Sequence, residues 1–221
     1  ATPALITKQH ANANGKQQNS IDLLKANHNL NDHKNWLFHV NNYLSSFSIE
    51  PIELNSIEGS KFLNLKNGRR SLIEGGPLVS VIMPVFNAEK FINLSVNSIL
   101  NQTWQNLELV IVDDCSSDKT WSILKELEAK DSRVKLIKNK VNVGPYVSKN
   151  YALLKSKGDY ITGHDADDFA FSKRIENHIA YMLKNPNVKA STNNKLRIKE
   201  DGRFVNFTAV RTELDDGAAS K

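Results

Sequence analysis

A single cysteine, Cys115, stands among 221 residues, which excludes an intrachain disulfide framework. A reducing compartment is the simpler setting for such a chain. No apolar run reaches the roughly 18 residues that a membrane-spanning helix needs. The six histidines, among them His10, His28, His33 and His39 in the N-terminal part, show no zinc-type spacing with cysteine. Neither a GxGxxG nor a GxxxxGK loop occurs, so the two common Gly-rich phosphate cradles are missing. Charge of one sign is also scarce: 29 Lys and Arg against 24 Asp and Glu leave a net charge of +5. The densest basic run, KNGRR at 66–70, is short, and no RNA-binding aromatic signature accompanies it. Nucleic acid is therefore not an expected partner. Anionic lipid or a phosphorylated small molecule stays open.

What is present divides the chain into three textures. Residues 1–19 are polar and read as a poorly ordered leader. Residues 20–77 read as a helical N-terminal segment and a connector. Trp36, Leu37, Val40, Tyr43 and Leu44 fall on one helical face, with Asn31 or Asp32 as N-cap. The Gly and Pro content of 46–77 predicts a connector with one short strand. The N-terminal helices are expected to pair, to lie on the main domain, or to contact another domain or subunit.

From residue 78 to 221 the pattern alternates. The runs LVSVIM, LELVIV, VKLIK and DYIT read as buried strands, separated by helical segments. Ser117 is expected to cap the second of these helices, Pro145 to open the third and Gly158 to stop it. Asp201-Gly202 reads as a hairpin turn. Such alternation predicts an α/β fold: a mostly parallel, Rossmann-like sheet with helices on both faces. Ligands of such sheets bind beyond the carboxyl ends of the strands. Segments 84–89, 113–117, 138–144 and 163–168 should therefore converge.

Chemistry gathers in those segments. YITGHDADDF at 160–169 places Asp165, Asp167 and Asp168 straight after a strand. Clustered carboxylates repel unless a cation sits among them, and hard cations such as Mg²⁺ or Mn²⁺ prefer such oxygens. Asp165 and Asp167, two apart in extended chain, point alike. Asp168 has a plainer alternative as a helix N-cap, and Ala166 is small enough for a ligand's close approach. In VDDCSSD, capping accounts for Ser116, Ser117 and Asp118 but leaves Asp113 and Asp114 unexplained. Asn142 and Gly144 shape a turn before a helix bearing Lys149, either a phosphate-seeking cation or a solvated lysine. His164 reads as structural, and Cys115 as a small packed residue.

Taken in order, VSVIMPVFN, SILNQT, LELVIVDDCSSDKT, NVGPYVSKN and GDYITGHDADD resemble the inverting family 2 glycosyltransferases of GT-A fold, over residues 78–190. The resemblance implies a nucleotide-sugar donor, usually a UDP-sugar, and Mn²⁺ or Mg²⁺. It places Pro84, Phe86, Asn87 and Glu89 in the loop lining the nucleotide pocket, and Asp114 toward the uracil with Asp113 beside it. Asn142 and Gly144 belong to the same nucleotide-sugar set, and Lys149 stands where the family usually has Arg. Asp165 and Asp167 with Ala166 between them match the DxD motif, Asp165 toward the ribose and Asp167 on the metal. Cys115 replaces the commoner Gly. The family's catalytic base lies in a later acceptor-binding segment. TELDDG offers Glu213, Asp215 and Asp216, of which Asp215 is the candidate base, and the acceptor part reads as incomplete. The expected partner is a glycan or polysaccharide acceptor. The expected location is the cytoplasm, with a peripheral contact at the inner face of the membrane open. Two other classes remain as alternatives: a sugar nucleotidyltransferase, for which PVFNAEKF lacks the Gly-rich basic loop, and a nucleotide-binding but non-catalytic assembly module.

Overall fold

Polar helix formers start the described chain. The computed structural model describes residues 15–68, 71–193 and 195–205. Helix α1 spans Gly15–His28 and so begins inside the stretch expected to be poorly ordered. Lys and Gln favour helix regardless of their hydrophilicity, and residues 1–14 of that stretch lie outside the described residues. Helix α2, His33–Ser45, is capped by Asp32, whose side chain accepts from Asn35 N–H at 3.1 Å. It buries Trp36, Val40, Tyr43 and Leu44, close to the face read from the sequence. The connector holds two strands rather than one, β1 (Ile52–Leu54) and β2 (Leu65–Asn67), paired antiparallel with Ile52 opposite Asn67.

The alternating part forms β3 (Val79–Val85), α3 (Ile92–Leu100), β4 (Leu107–Asp113), α4 (Thr120–Lys130), β5 (Val134–Lys138), α5 (Pro145–Lys155), β6 (Tyr160–Gly163) and α6 (Arg174–Lys184). The four strands pair in parallel in the order β5-β4-β3-β6. Every residue of β4 is buried, as a strand covered on both faces requires. One face packs under α3, α4 and α6 through Ile92, Val96, Ile99, Leu124, Leu127, Ile175 and Ile179. The other packs Val110 and Val112 under Ala152 of α5. Pro84 is tolerated in a central strand because β6 stops opposite Ile82. The position where its missing N–H would point has no β6 partner.

A second core joins Leu23, Trp36, Val40 and Leu44 to Leu94 of α3 and to Phe204. The N-terminal helices thus pair with each other and also lie on the α/β unit. The Asp201-Gly202 turn forms, with Gly202 at φ +91° and Ile198 bridged to Phe204. Its carbonyl accepts from Trp36 Nε1 at 3.0 Å.

Gly158 does not stop α5, which ends at Lys155 with Ser156 as C-cap. Its role is close approach: a Cβ there would lie 2.5 Å from Ser80 N. Gly158 N–H donates to Ser80 Oγ, which in turn donates to Glu108 Oε1.

Candidate functional site

The sheet topology decides where chemistry can gather. In parallel pairing, Val85 lies beside Asp113, Asp113 beside Lys138, and Ile82 beside Gly163. All four post-strand loops therefore leave one edge of the sheet, on either side of β3 where the strand order changes direction.

The loop after β3 is locked to the loop after β4. Asn87 N–H donates to Ser116 Oγ at 3.0 Å, and Asn87 Oδ1 accepts from Ser117 N–H at 2.8 Å. Glu89 Oε2 accepts from Lys119 N–H, and Glu89 N–H donates to Asp118 Oδ2. Ser117 is therefore not the cap of α4. The N-cap position is Lys119, and Asp118 Oδ1 accepts from Thr120 N–H. Glu89, placed among the nucleotide-pocket residues, has a carboxylate oxygen occupied by this lock. Phe86 stays half exposed at the rim.

Asp113 is fully buried at the end of β4. Its Oδ2 has no hydrogen bond and lies 3.9 Å from Lys138 Nζ. Asp114 is buried too, under the loop before α5. Its oxygens accept from Asn139 Nδ2 at 2.8 Å, Val143 N–H at 2.9 Å and Gly144 N–H at 2.7 Å. Burial pushes this carboxyl up, but the donors from Val143, Asn139 and Gly144 outweigh it and hold the group below the usual carboxylate range. Gly144 sits at φ +87°, a conformation that suits only glycine well, and its N–H also meets Asn142 Oδ1. Cys115 takes φ +65° and is partly exposed, with Sγ toward the Lys140 carbonyl. It is not the packed residue expected. Glycine would adopt this left-handed backbone without the strain that a Cβ brings.

After β6 the three aspartates part company. Asp165 meets Lys149 Nζ at 3.2 Å, and its backbone carbonyl accepts from Ser95 Oγ. Ala166 is partly buried and packs against the main core. Asp168 turns to Lys195 at 3.2 Å and does not cap a helix, because α6 begins only at Arg174. Asp167 is exposed and has no partner among the described residues. No group of three or more His, Cys, Asp or Glu that could hold a metal forms among the described residues. A cation at this turn would have to be met by Asp167 and by Asp165, an oxygen of which pairs with Lys149. Two hard oxygen donors fit Mg²⁺ or Mn²⁺ whose other positions go to phosphate and water.

Beneath the acidic turn lies a support that sequence reading missed. Arg174 donates to Thr162 Oγ1 at 2.8 Å, to the Gly163 carbonyl at 2.6 Å and to His164 Nδ1 at 3.1 Å. His164 therefore carries its proton on Nε2, 3.5 Å from Ser98 Oγ. Burial, then the Arg174 charge, push His164 down to about 3, so it is neutral and structural. Only the second basic residue of KRIEN, at the start of the following helix, marked Arg174 in the sequence. Glu213, Asp215 and Asp216 lie outside the described residues.

The sequence of residues 80–209 matches the model of glycosyl transferase family 2. An uncharacterized glycosyltransferase of Haemophilus influenzae is 46% identical over 109 residues, covering 49% of this chain and 44% of the relative. The Escherichia coli UDP-Glc:alpha-D-GlcNAc-diphosphoundecaprenol beta-1,3-glucosyltransferase WfgD is 44% identical over 108 residues, 49% of this chain and 42% of that one. A solved structure of Staphylococcus aureus TarS 1-349 with UDP-GlcNAc is 31% identical over 49% of this chain and 32% of its own, with a TM-score of 0.46. The matched stretch spans less than half the length of these curated relatives. A family match over more than half of the chain, on a parallel α/β sheet with its loops joined at one edge, makes this chain a member of glycosyl transferase family 2.

Proposed function

We propose that the chain carries the donor half of a metal-dependent glycosyltransferase. The enzyme moves a sugar from a nucleoside-diphosphate donor, a UDP-sugar, to a glycan or polysaccharide acceptor with inversion. The observation that carries this reading is the pair Asp165 and Asp167 at the end of β6. Asp167 is free of internal partners among the described residues, beside loops locked into one edge. A bound Mn²⁺ or Mg²⁺ would supply electrostatic stabilisation of the departing diphosphate.

The chain's own residues do the rest. Asp167 would hold that cation, with Asp165, itself paired with Lys149, as the second carboxylate. Lys149 faces the diphosphate as a second positive charge. The loop at 142–144, held by Asp114, shapes the nucleoside pocket with Pro84, Phe86 and Asn87. Asp113, at the buried base of that pocket, supports the turn. A carboxylate base, with Asp215 as the sequence candidate, removes the acceptor hydroxyl proton from the sugar's opposite face. The relative named for a diphosphoundecaprenol acceptor supports a lipid-carried acceptor and work at the inner membrane face. Among the described residues no helix is long and apolar enough to cross a membrane.

Calorimetry with UDP and Mn²⁺ tests the donor site. Wild type binds UDP with Mn²⁺, and Asp167→Ala lowers that affinity at least about tenfold, roughly one lost charge-assisted contact. Absence of UDP binding by wild type with either metal ends the reading. A donor-hydrolysis screen across nucleotide sugars then identifies the sugar.

A further inference from the structure

Helix α5 buries little of itself. Of its eleven residues only Ser148 and Ala152 are buried. Tyr146 is 82% exposed and Leu154 79%, and Val147, Tyr151 and Leu153 are exposed as well. With 3.6 residues per turn, about 100° each, Ser148 and Ala152 mark the inward direction. The opposite half of the wheel holds Tyr146, Val147, Leu153 and Leu154 around Asn150, the one polar side chain there. Lys149 and Tyr151 fall on the two flanks, and Lys155 lies nearer the inward side at the exposed C-terminal end of the helix. Val141, exposed in the preceding loop, extends the apolar surface toward the sheet edge.

Charge within the segment has one sign, although Lys149 is paired with Asp165 of the neighbouring acidic turn. Residues 139–158 contain Lys140, Lys149, Lys155 and Lys157 and no Asp or Glu. The next acid, Asp159, accepts from Leu78 N–H at 2.9 Å. The loop's other acidic neighbour, Asp114, is buried beneath it. Exposed Tyr and Leu with flanking lysines form the pattern of a surface that sits in a lipid headgroup layer. Tyrosine rings suit the interface, and lysine stems reach back to anionic phosphates. A water-soluble helix face would place Glu or Lys at most of these positions.

We propose that the outward face of α5 and the 140–141 loop dock on an anionic phospholipid surface. The first turn of α5 leads to Lys149, and Lys149 meets Asp165, so docking would hold the donor edge beside the membrane. This deepens the reading above for a lipid-carried acceptor, but its evidence is the composition and exposure of α5 alone.

Vesicle co-sedimentation of the 221-residue chain tests it, with phosphatidylglycerol/phosphatidylcholine vesicles against pure phosphatidylcholine. Binding is expected to the anionic vesicles only, and to weaken several-fold from low to high salt. Tyr151→Ser with Leu154→Ser, and separately Lys155→Glu with Lys157→Glu, each reduce binding about tenfold or more while the melting temperature stays within a few degrees. If one double variant fails to fold, the other decides. Equal binding by the variants, binding unaffected by lipid charge, or no binding at all overturns the proposal. So does a dimer in solution that protects α5 from hydrogen exchange. UDP calorimetry is scored apart, so loss of the donor reading leaves the vesicle result standing and the reverse also holds.

Discussion

Asp114 receives N–H groups from Asn139, Val143 and Gly144, and its charge is what those donors are aimed at. Asp114→Asn turns an amide NH₂ toward at least one of them and is expected to cost about 2 kcal/mol. Because its folded pKa is depressed, the stability it provides is present above the unfolded pKa of 3.8. That stability is lost as pH falls through the lower folded value. Urea titrations at pH 7 and below pH 3.8 check this, and the variant's deficit should shrink in acid. His164 behaves in a second window. It resists protonation in the folded chain down to about 3, whereas the unfolded chain takes the proton near 6.5. The unfolded state then binds one more proton, so folding stability falls with decreasing pH at up to about 1.4 kcal/mol per unit between those values. Replacement by Gln should flatten this part of the profile. Cys115 at φ +65° invites relief: Cys115→Gly should stabilise by up to about 1 kcal/mol, read as a higher melting temperature. A fall in melting temperature would mean that its contact with the Lys140 carbonyl outweighs the strain.

At the scale of elements, the apolar runs and helical stripes were legible because periodicity is local. Each strand after residue 78 and each helix between them appears where the pattern puts it. End residues were less legible. Ser117 and Asp168 have good capping chemistry, yet partners brought by the fold claim them: Asn87 meets Ser117, and Lys195 meets Asp168. Gly158 resembles a helix stop but answers to Ser80 on a neighbouring strand. Gly158→Ala should therefore destabilise by about 2 kcal/mol or more, since the clash is with backbone that cannot swing aside. Equilibrium unfolding of the variant measures it. An unaltered stability would show that the 157–158 turn can shift without cost.

The whole molecule is held by a core that ignores the order of the chain. Trp36 from α2, Leu94 from α3 and Phe204 beyond the hairpin pack in one cluster. Trp36 also donates to the Gly202 carbonyl. Trp36→Ala is expected to cost about 3–5 kcal/mol. The loss should loosen the N-terminal helices and the hairpin together, seen as hydrogen exchange rising in both. Faster exchange confined to α2 would contradict a shared core. Lys90–Glu200 and Lys195–Asp168 tie the same hairpin to the loops at the strand ends, but exposed pairs of this kind contribute little stability.

From the sequence by itself came the alternating elements, the single edge where the strand ends converge and the identity of the acidic turn after β6. Each follows from side-chain period and from the one-way geometry of parallel crossovers. Only the tertiary structure decided which aspartates stay available. Asp113 and Asp114 are buried, Asp165 is shared with Lys149, Asp168 is drawn to Lys195, and Asp167 faces solvent. The placement of Arg174 under the turn is likewise tertiary. A carboxylate's availability depends on which donors reach it, and those donors come from positions distant along the chain.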